Sequence, residues 1–87
     1  RWVRVTPPGA QTGFILARAD DDQQKAAIGK QGAGRVWLFL KVDNFTAEFD
    51  RLTAAGVIFE ELPRHEPYGK VAVFRDPFGN RWDLLGD

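Results

Sequence analysis

Residues 35–42 constrain the fold more than any other stretch. Val36, Leu38, Leu40 and Val42 alternate with Arg35, Trp37, Phe39 and Lys41, and successive strand residues point to opposite faces of a sheet. Both faces are therefore substantially apolar. Such a strand needs helices over one side of its sheet and a pocket or partner over the other. A chain of 87 residues makes that demanding, because a domain this short buries only about 60 to 65% of its unfolded surface. It contains no cysteine, so packing alone must hold it together. The redox compartment is left open.

The pattern downstream predicts the covering layer. Asp43 or Asn44 can cap a helix whose apolar positions Phe45, Phe49 and Leu52 follow i, i+4, i+7 spacing, and Gly56 stands where a left-handed terminator belongs. Residues 57–62 read as a short strand, 63–69 as a loop, 70–75 as a strand, 76–80 as a turn and 81–85 as a final strand. Upstream, residues 1–5 alternate polar and apolar. Pro7, Pro8 and Gly9 break the pattern, and residues 12–19 resume it with Phe14, Ile15 and Leu16, which predicts a hairpin. Residues 20–34 are polar and glycine-containing, a connection with Ala26, Ala27 and Ile28 as a short helical turn. Residues 35–87 thus read strand, helix, strand, strand, strand, and residues 1–34 read as the tail of a similar unit plus a linker. With no methionine and a strand-like opening on Arg1, the start reads as an interior point of a longer chain.

Twelve basic and twelve acidic residues cancel, which argues against the broad basic face that nucleic-acid binding requires. A small neutral or amphipathic ligand fits better. No apolar run approaches the roughly 20 residues of a membrane span, so a soluble, cytoplasmic protein is expected. Gly29, Gly32 and Gly34 lack the strand and helix context of a phosphate loop.

The stretch from Gly69 to Leu85, with Asp76-Pro77-Phe78-Gly79-Asn80 at its turn and Asp83 four places after the glycine, resembles the closing hairpin of vicinal oxygen chelate proteins, the glyoxalase and bleomycin-resistance fold. Val42-Asp43-Asn44 and Ala54-Ala55-Gly56-Val57 resemble the family's second module. The likeness is good over residues 35–87 and loose over 1–19. It implies an α+β fold: one complete βαβββ module, the last two strands of a preceding one, and a curved mixed sheet forming a cup. It also implies a small ligand or a divalent metal in that cup. Metal-dependent members carry donors on four strands. The second such position falls near Leu16 and the third near Trp37, neither of which can ligate. Asp83 is the one plausible metal donor, so no cofactor is expected unless unseen residues or a partner chain complete a site.

Asp83 has two readings: an ion pair across the sheet with Arg75, Arg81 or Arg35, or a cup-floor base or hydrogen-bond acceptor whose pKa is raised by Trp37 and Phe39. Alternation puts Arg81, Asp83 and Leu85 on one face and Trp82 and Leu84 on the helix side. Trp37 and Phe39 can stack a flat ligand or fill a dimer interface. His65, in the predicted 63–69 loop, is either simply solvated or a pocket-rim acid or base. Tyr68 and Arg75 are further candidate ligand contacts. The reading that follows is a homodimeric small-molecule binder of the glyoxalase and dioxygenase type. Its alternatives are a metal-dependent lyase, isomerase or dioxygenase, and a purely structural dimerising module.

Overall fold

The computed structural model describes residues 3–87; the expectations for Arg1 and Trp2 lie outside the described residues. Its elements in chain order are β1 (Val3–Val5), β2 (Phe14–Leu16), α1 (Asp22–Ala27), β3 (Val36–Val42), α2 (Phe45–Ala54), β4 (Ile58–Phe59), β5 (Arg64–Glu66), β6 (Gly69–Arg75) and β7 (Arg81–Gly86). The first two strands form an antiparallel hairpin with Val3 opposite Leu16 and Val5 opposite Phe14. The rest build a curved, open, five-stranded sheet in the order β3-β7-β6-β4, with β5 also paired to β6.

The α+β class and the strand, helix, strand order follow from local chemistry. Asn44 caps α2, its side-chain oxygen accepting the Ala47 N–H at 3.1 Å. Gly56 leaves the helix at φ 95°, a conformation without a Cβ penalty only for glycine. The chain then runs back through β4 to β6 and β7. Because α2 crosses between them, β3 pairs parallel to β7, whereas β6 and β7 are antiparallel around their tight turn.

One face of the sheet packs on α2. Phe45, Ala72, Phe74 and Leu84 are the buried centre, and Leu40, Val42, Phe49, Leu52, Val57, Phe59 and Trp82 surround it. The expected assignment of Val36, Leu38, Leu40 and Val42 to the helix side, with Trp37 and Phe39 exposed on the other, agrees with the burial along β3 from Leu38 onward; Val36 departs from that assignment, because the register shift between Val36 and Leu38 sets it opposite Arg81. A file of aromatic rings runs through this layer. Phe45, Phe49, Phe59, Phe74 and Trp82 follow one another at centroid separations of 5.8, 4.4, 5.6 and 5.8 Å, and Trp82 meets the edge of Phe14 from the hairpin at 5.8 Å. Offset and edge-on contacts of this kind add about 0.5–1.5 kcal/mol each beyond area burial.

Three local expectations need correction. The 57–62 strand is only two residues long, and the 63–69 loop contains β5, paired to β6 through Arg64–Val71, His65–Lys70 and Glu66–Gly69. Between β4 and β5 the edge is interrupted. Glu60 N–H donates to the Val73 carbonyl at 2.9 Å, and Val73 N–H donates to the side-chain Oε2 of Glu61 at 2.9 Å. A carboxylate thus takes the place of a backbone acceptor, which satisfies a donor in a ladder that would otherwise leave it unpaired. Finally, the helical turn expected at Ala26–Ile28 starts earlier: Asp21 caps α1, accepting the Gln24 N–H at 2.7 Å, while Gln24 Oε1 accepts the Asp20 N–H at 2.7 Å.

Candidate functional site

The face of the sheet away from α2 is built by the alternate residues. Strand register sets Phe39 of β3 beside Asp83 of β7, and Asp83 opposite Val73 of β6. Val71 lies opposite Leu85, and Arg75 opposite Arg81. Val71 and Val73 are buried although they face away from the helix layer. Phe39 is 69% exposed. The result is an apolar floor with one carboxylate in its middle and an aromatic ring standing free at its side.

Asp83 is the anomaly of this floor. Its Oδ1 is buried without a hydrogen-bond partner among the described residues. Burial pushes its carboxyl above the ordinary range; Glu61 adds to this, and Arg64 and Arg81 oppose it. The cross-sheet ion pair expected for Asp83 with Arg75, Arg81 or Arg35 is not made among the described residues, and two of these arginines are committed elsewhere. Glu60 holds Arg75 at 2.7 Å and Arg81 at 3.1 Å, and Arg64 pairs with Glu61 and Glu66, both at 2.9 Å. The reason is reach: β4 brings Glu60 beside the end of β6, where Arg75 and Arg81 emerge side by side.

The remaining candidates separate. Trp37 sits where the register shifts between Val36 and Leu38, and it is half-exposed against Gly32 of the linker, whose hypothetical Cβ would lie 2.8 Å from the Trp37 Cβ. It borders the floor beside Phe39. Tyr68 is exposed in the turn that joins β5 to β6, beyond Gly69, which itself lies about 13 Å along the strand from Val73 at 3.3 Å per residue. His65 is not in a loop; it lies opposite Lys70, whose Nζ reaches Thr46 on α2 at 3.5 Å. That places His65 toward the helix side, on the face opposite Asp83.

The turn after β6 is a positioning device. Asp76 Oδ1 accepts the N–H groups of Phe78 and Asn80, both at 3.0 Å, and Oδ2 accepts the indole N–H of Trp82 at 3.1 Å. Burial pushes its carboxyl up, but these donors outweigh it and leave the group below the ordinary range. Trp82 anchored this way fixes the phase of β7, which turns Asp83 to the other face. Two further contacts tie the linker to the same end: Arg81 donates to the Gly34 carbonyl at 3.1 Å, and Gly29, at φ 79°, approaches the Phe78 carbonyl so closely that a Cβ would collide with it.

A divalent metal, which the fold implies in some relatives, does not fit the donors present. Beside Asp83 in the register stand Phe39 and Val73, and among the described residues no three His, Cys, Asp or Glu side chains converge. A hard or borderline cation needs several nitrogen or oxygen donors at once. Among the described residues no helix is long and apolar enough to cross a membrane.

Sequence reasoning missed Glu60 and Glu61. Neither belongs to a motif, and the partners of Glu60, like the Val73 N–H held by Glu61, are distant in sequence; the adjacent acidic pair before Leu62 and Pro63 was the available signal.

Comparison with known proteins agrees with this architecture. Residues 2–84 match the family described as the Glyoxalase/Bleomycin resistance protein/Dioxygenase superfamily. An uncharacterized protein of Shewanella frigidimarina (strain NCIMB 400) is 46% identical over 86 residues, 98% of this chain and 64% of that one. The crystal structure of UcmS2 is 31% identical with a TM-score of 0.78, covering 98% of this chain and 69% of that one. TnmS3, an antibiotic binding protein from Streptomyces sp. CB03234, is 30% identical with a TM-score of 0.74, covering 99% and 64% of the two chains. The chain thus spans about two thirds of the length of the proteins it matches. On this match, which takes in nearly all of its residues, the chain belongs to the glyoxalase/bleomycin resistance protein/dioxygenase superfamily.

Proposed function

We propose that the sheet face bearing Phe39 and Asp83 binds a small, flat, largely apolar organic molecule, without chemistry at a resident metal. The observation that carries this is the floor itself: buried Val71 and Val73, an exposed ring at Phe39 and a single unpaired carboxylate. Binding sites for small molecules combine mostly apolar walls with a few convergent polar groups. Phe39, bordered by Trp37, supplies the stacking surface, Asp83 the polar anchor, and Arg75 a rim contact where its pairing with Glu60 leaves it half-exposed. The structural relative TnmS3, an antibiotic binding protein, supports binding rather than turnover as the activity. His65 and Tyr68 have no part in this reading, since His65 lies on the opposite face of the sheet and Tyr68 in the turn beyond the start of β6.

A homodimer acting in the cytoplasm belongs to the same proposal. Val3, Val5, Phe14, Ile15 and Leu16 each remain 43–55% exposed, more apolar surface than a hairpin normally leaves to water. Residues 1–34 are proposed as the tail of one module with its linker, and 35–87 as the second module.

The test is a ligand titration of the full chain followed by calorimetry. Saturable binding of a flat aromatic compound is expected to survive chelator and to weaken about tenfold in Phe39→Ala, the worth of one lost ring contact. Tightly held stoichiometric metal with activity abolished by chelator would instead favour a lyase, isomerase or dioxygenase. A dimer that dissociates in Phe39→Ala, with no compound bound by the wild type, would favour a structural module.

A further inference from the structure

Resting on the binding role proposed above, we infer that the ligand presents a neutral or cationic hydrogen-bond donor to Asp83, so that its class is a flat ring system bearing a hydroxyl or amino group in preference to a carboxylate at that position. The argument starts from which polar groups on this face are already occupied. Arg75 and Arg81 share Glu60, and Arg64 is shared by Glu61 and Glu66. Arg81 is further bound to the Gly34 carbonyl, and Arg75 to the Gly79 carbonyl at 3.1 Å. Three guanidinium groups thus face three carboxylates, and a ligand anion would have to break an existing pair to reach one of them.

Asp83 stands outside these pairs. Its Oδ1 is removed from water, and no donor of the chain reaches it among the described residues. The charged groups that act on it are Arg64 from β5, Glu61 from the gap between β4 and β5, and Arg81 on its own strand; Lys41 of β3, opposite Leu85, is exposed. Beside it in the ladder stand Phe39 and Val73, which offer no hydrogen. A buried acceptor without a partner is costly. A ligand O–H or N–H placed over Val73 with its ring against Phe39 reaches the same carboxylate at Oδ2, the oxygen that is not fully buried, and supplies the missing donor to the group. A ligand carboxylate at the same spot would meet Asp83 and Glu61 as like charges.

The class can be read with three matched probes: naphthol, its methyl ether and naphthoic acid, titrated into the full chain by calorimetry near neutral pH. Naphthol is expected to bind at least about tenfold more tightly than the ether, the worth of one hydrogen bond to a charged group, and naphthoate most weakly. Asp83→Leu is expected to abolish the preference while the ether still binds. The matched pair on the wild-type chain decides the matter even should that variant fail to fold. Equal binding of naphthol and ether, or a preference for naphthoate, overturns the donor inference and leaves the ring-binding role standing. Binding of none of the three overturns both.

Discussion

The hairpin of β1 and β2 and the strand β6 are made of the same kinds of residue and end in opposite states. Val3, Val5, Phe14, Ile15 and Leu16 are all at least 43% exposed, whereas Val71, Ala72, Val73 and Phe74 are buried in succession. The difference is in what lies alongside. β6 has β7 on one side, β4 and β5 on the other, and α2 across one face; the hairpin pairs within itself and meets the sheet through Phe14 and Trp82. Alternating apolar residues specify a strand, but burial needs a second layer. A two-stranded ribbon alone is marginally stable in water.

Substitution to alanine puts that comparison to its hardest test. Leu84→Ala, at a fully buried site, is expected to cost about 3–5 kcal/mol through lost transfer energy and a residual cavity; Ile15→Ala in the hairpin is expected to cost under about 1 kcal/mol. Denaturant midpoints of the two variants measure it, and equal losses would mean the hairpin is buried in solution by a partner.

A smaller effect is expected at the turn. Asp76→Ala removes the acceptor of two backbone N–H groups and of the Trp82 indole, a loss of about 2–4 kcal/mol for bonds to a charged group. Trp82 emission would shift toward that of a solvated indole, since the bond that fixes its ring is gone.

The smallest expected effect separates two carboxylates seven residues apart, Asp76 and Asp83. Asp76 is depressed in the folded chain, so its contribution is present above its unfolded pKa and lost as pH falls through the folded one. Asp83 is raised by burial; its contribution is full below the unfolded pKa and lost as pH rises through the folded one. Asp83→Asn is therefore expected to be neutral or stabilising by under about 1 kcal/mol near neutral pH, with the advantage vanishing in acid. Urea unfolding across the acid range reads both signs, and a destabilised Asp83→Asn at neutral pH would show that the carboxylate has a partner in solution.

What the sequence disclosed was what depends on neighbours in the chain. The α2 helix was legible because Asn44, Phe45, Phe49, Leu52 and Gly56 encode cap, stripe and terminator within thirteen residues. The turn at residues 76–80 was legible for the same reason, its side-chain bonds being local. β5 was not, since Pro63, His65 and Pro67 read as a loop and the strand exists through pairing with β6. The binding of Arg75 and Arg81 by Glu60 was hidden as well, because it depends on which residue after β4 reaches the end of β6. Asp83 was found by motif position, but its lack of a partner could be learned only after the arginines' own partners were known.

The interrupted edge formed by β4 and β5 bears on self-association. Open strand edges template the addition of further strands and thereby aggregation. Here one border of the sheet is broken into pieces of two and three residues, with a carboxylate in the ladder and Pro63 lacking an N–H. The other, β3, runs seven residues. Extension by strand pairing is thus favoured at one border and obstructed at the other. Two copies joined through β3 would leave obstructed borders outward on both sides, so the assembly closes at a pair instead of growing into a fibre.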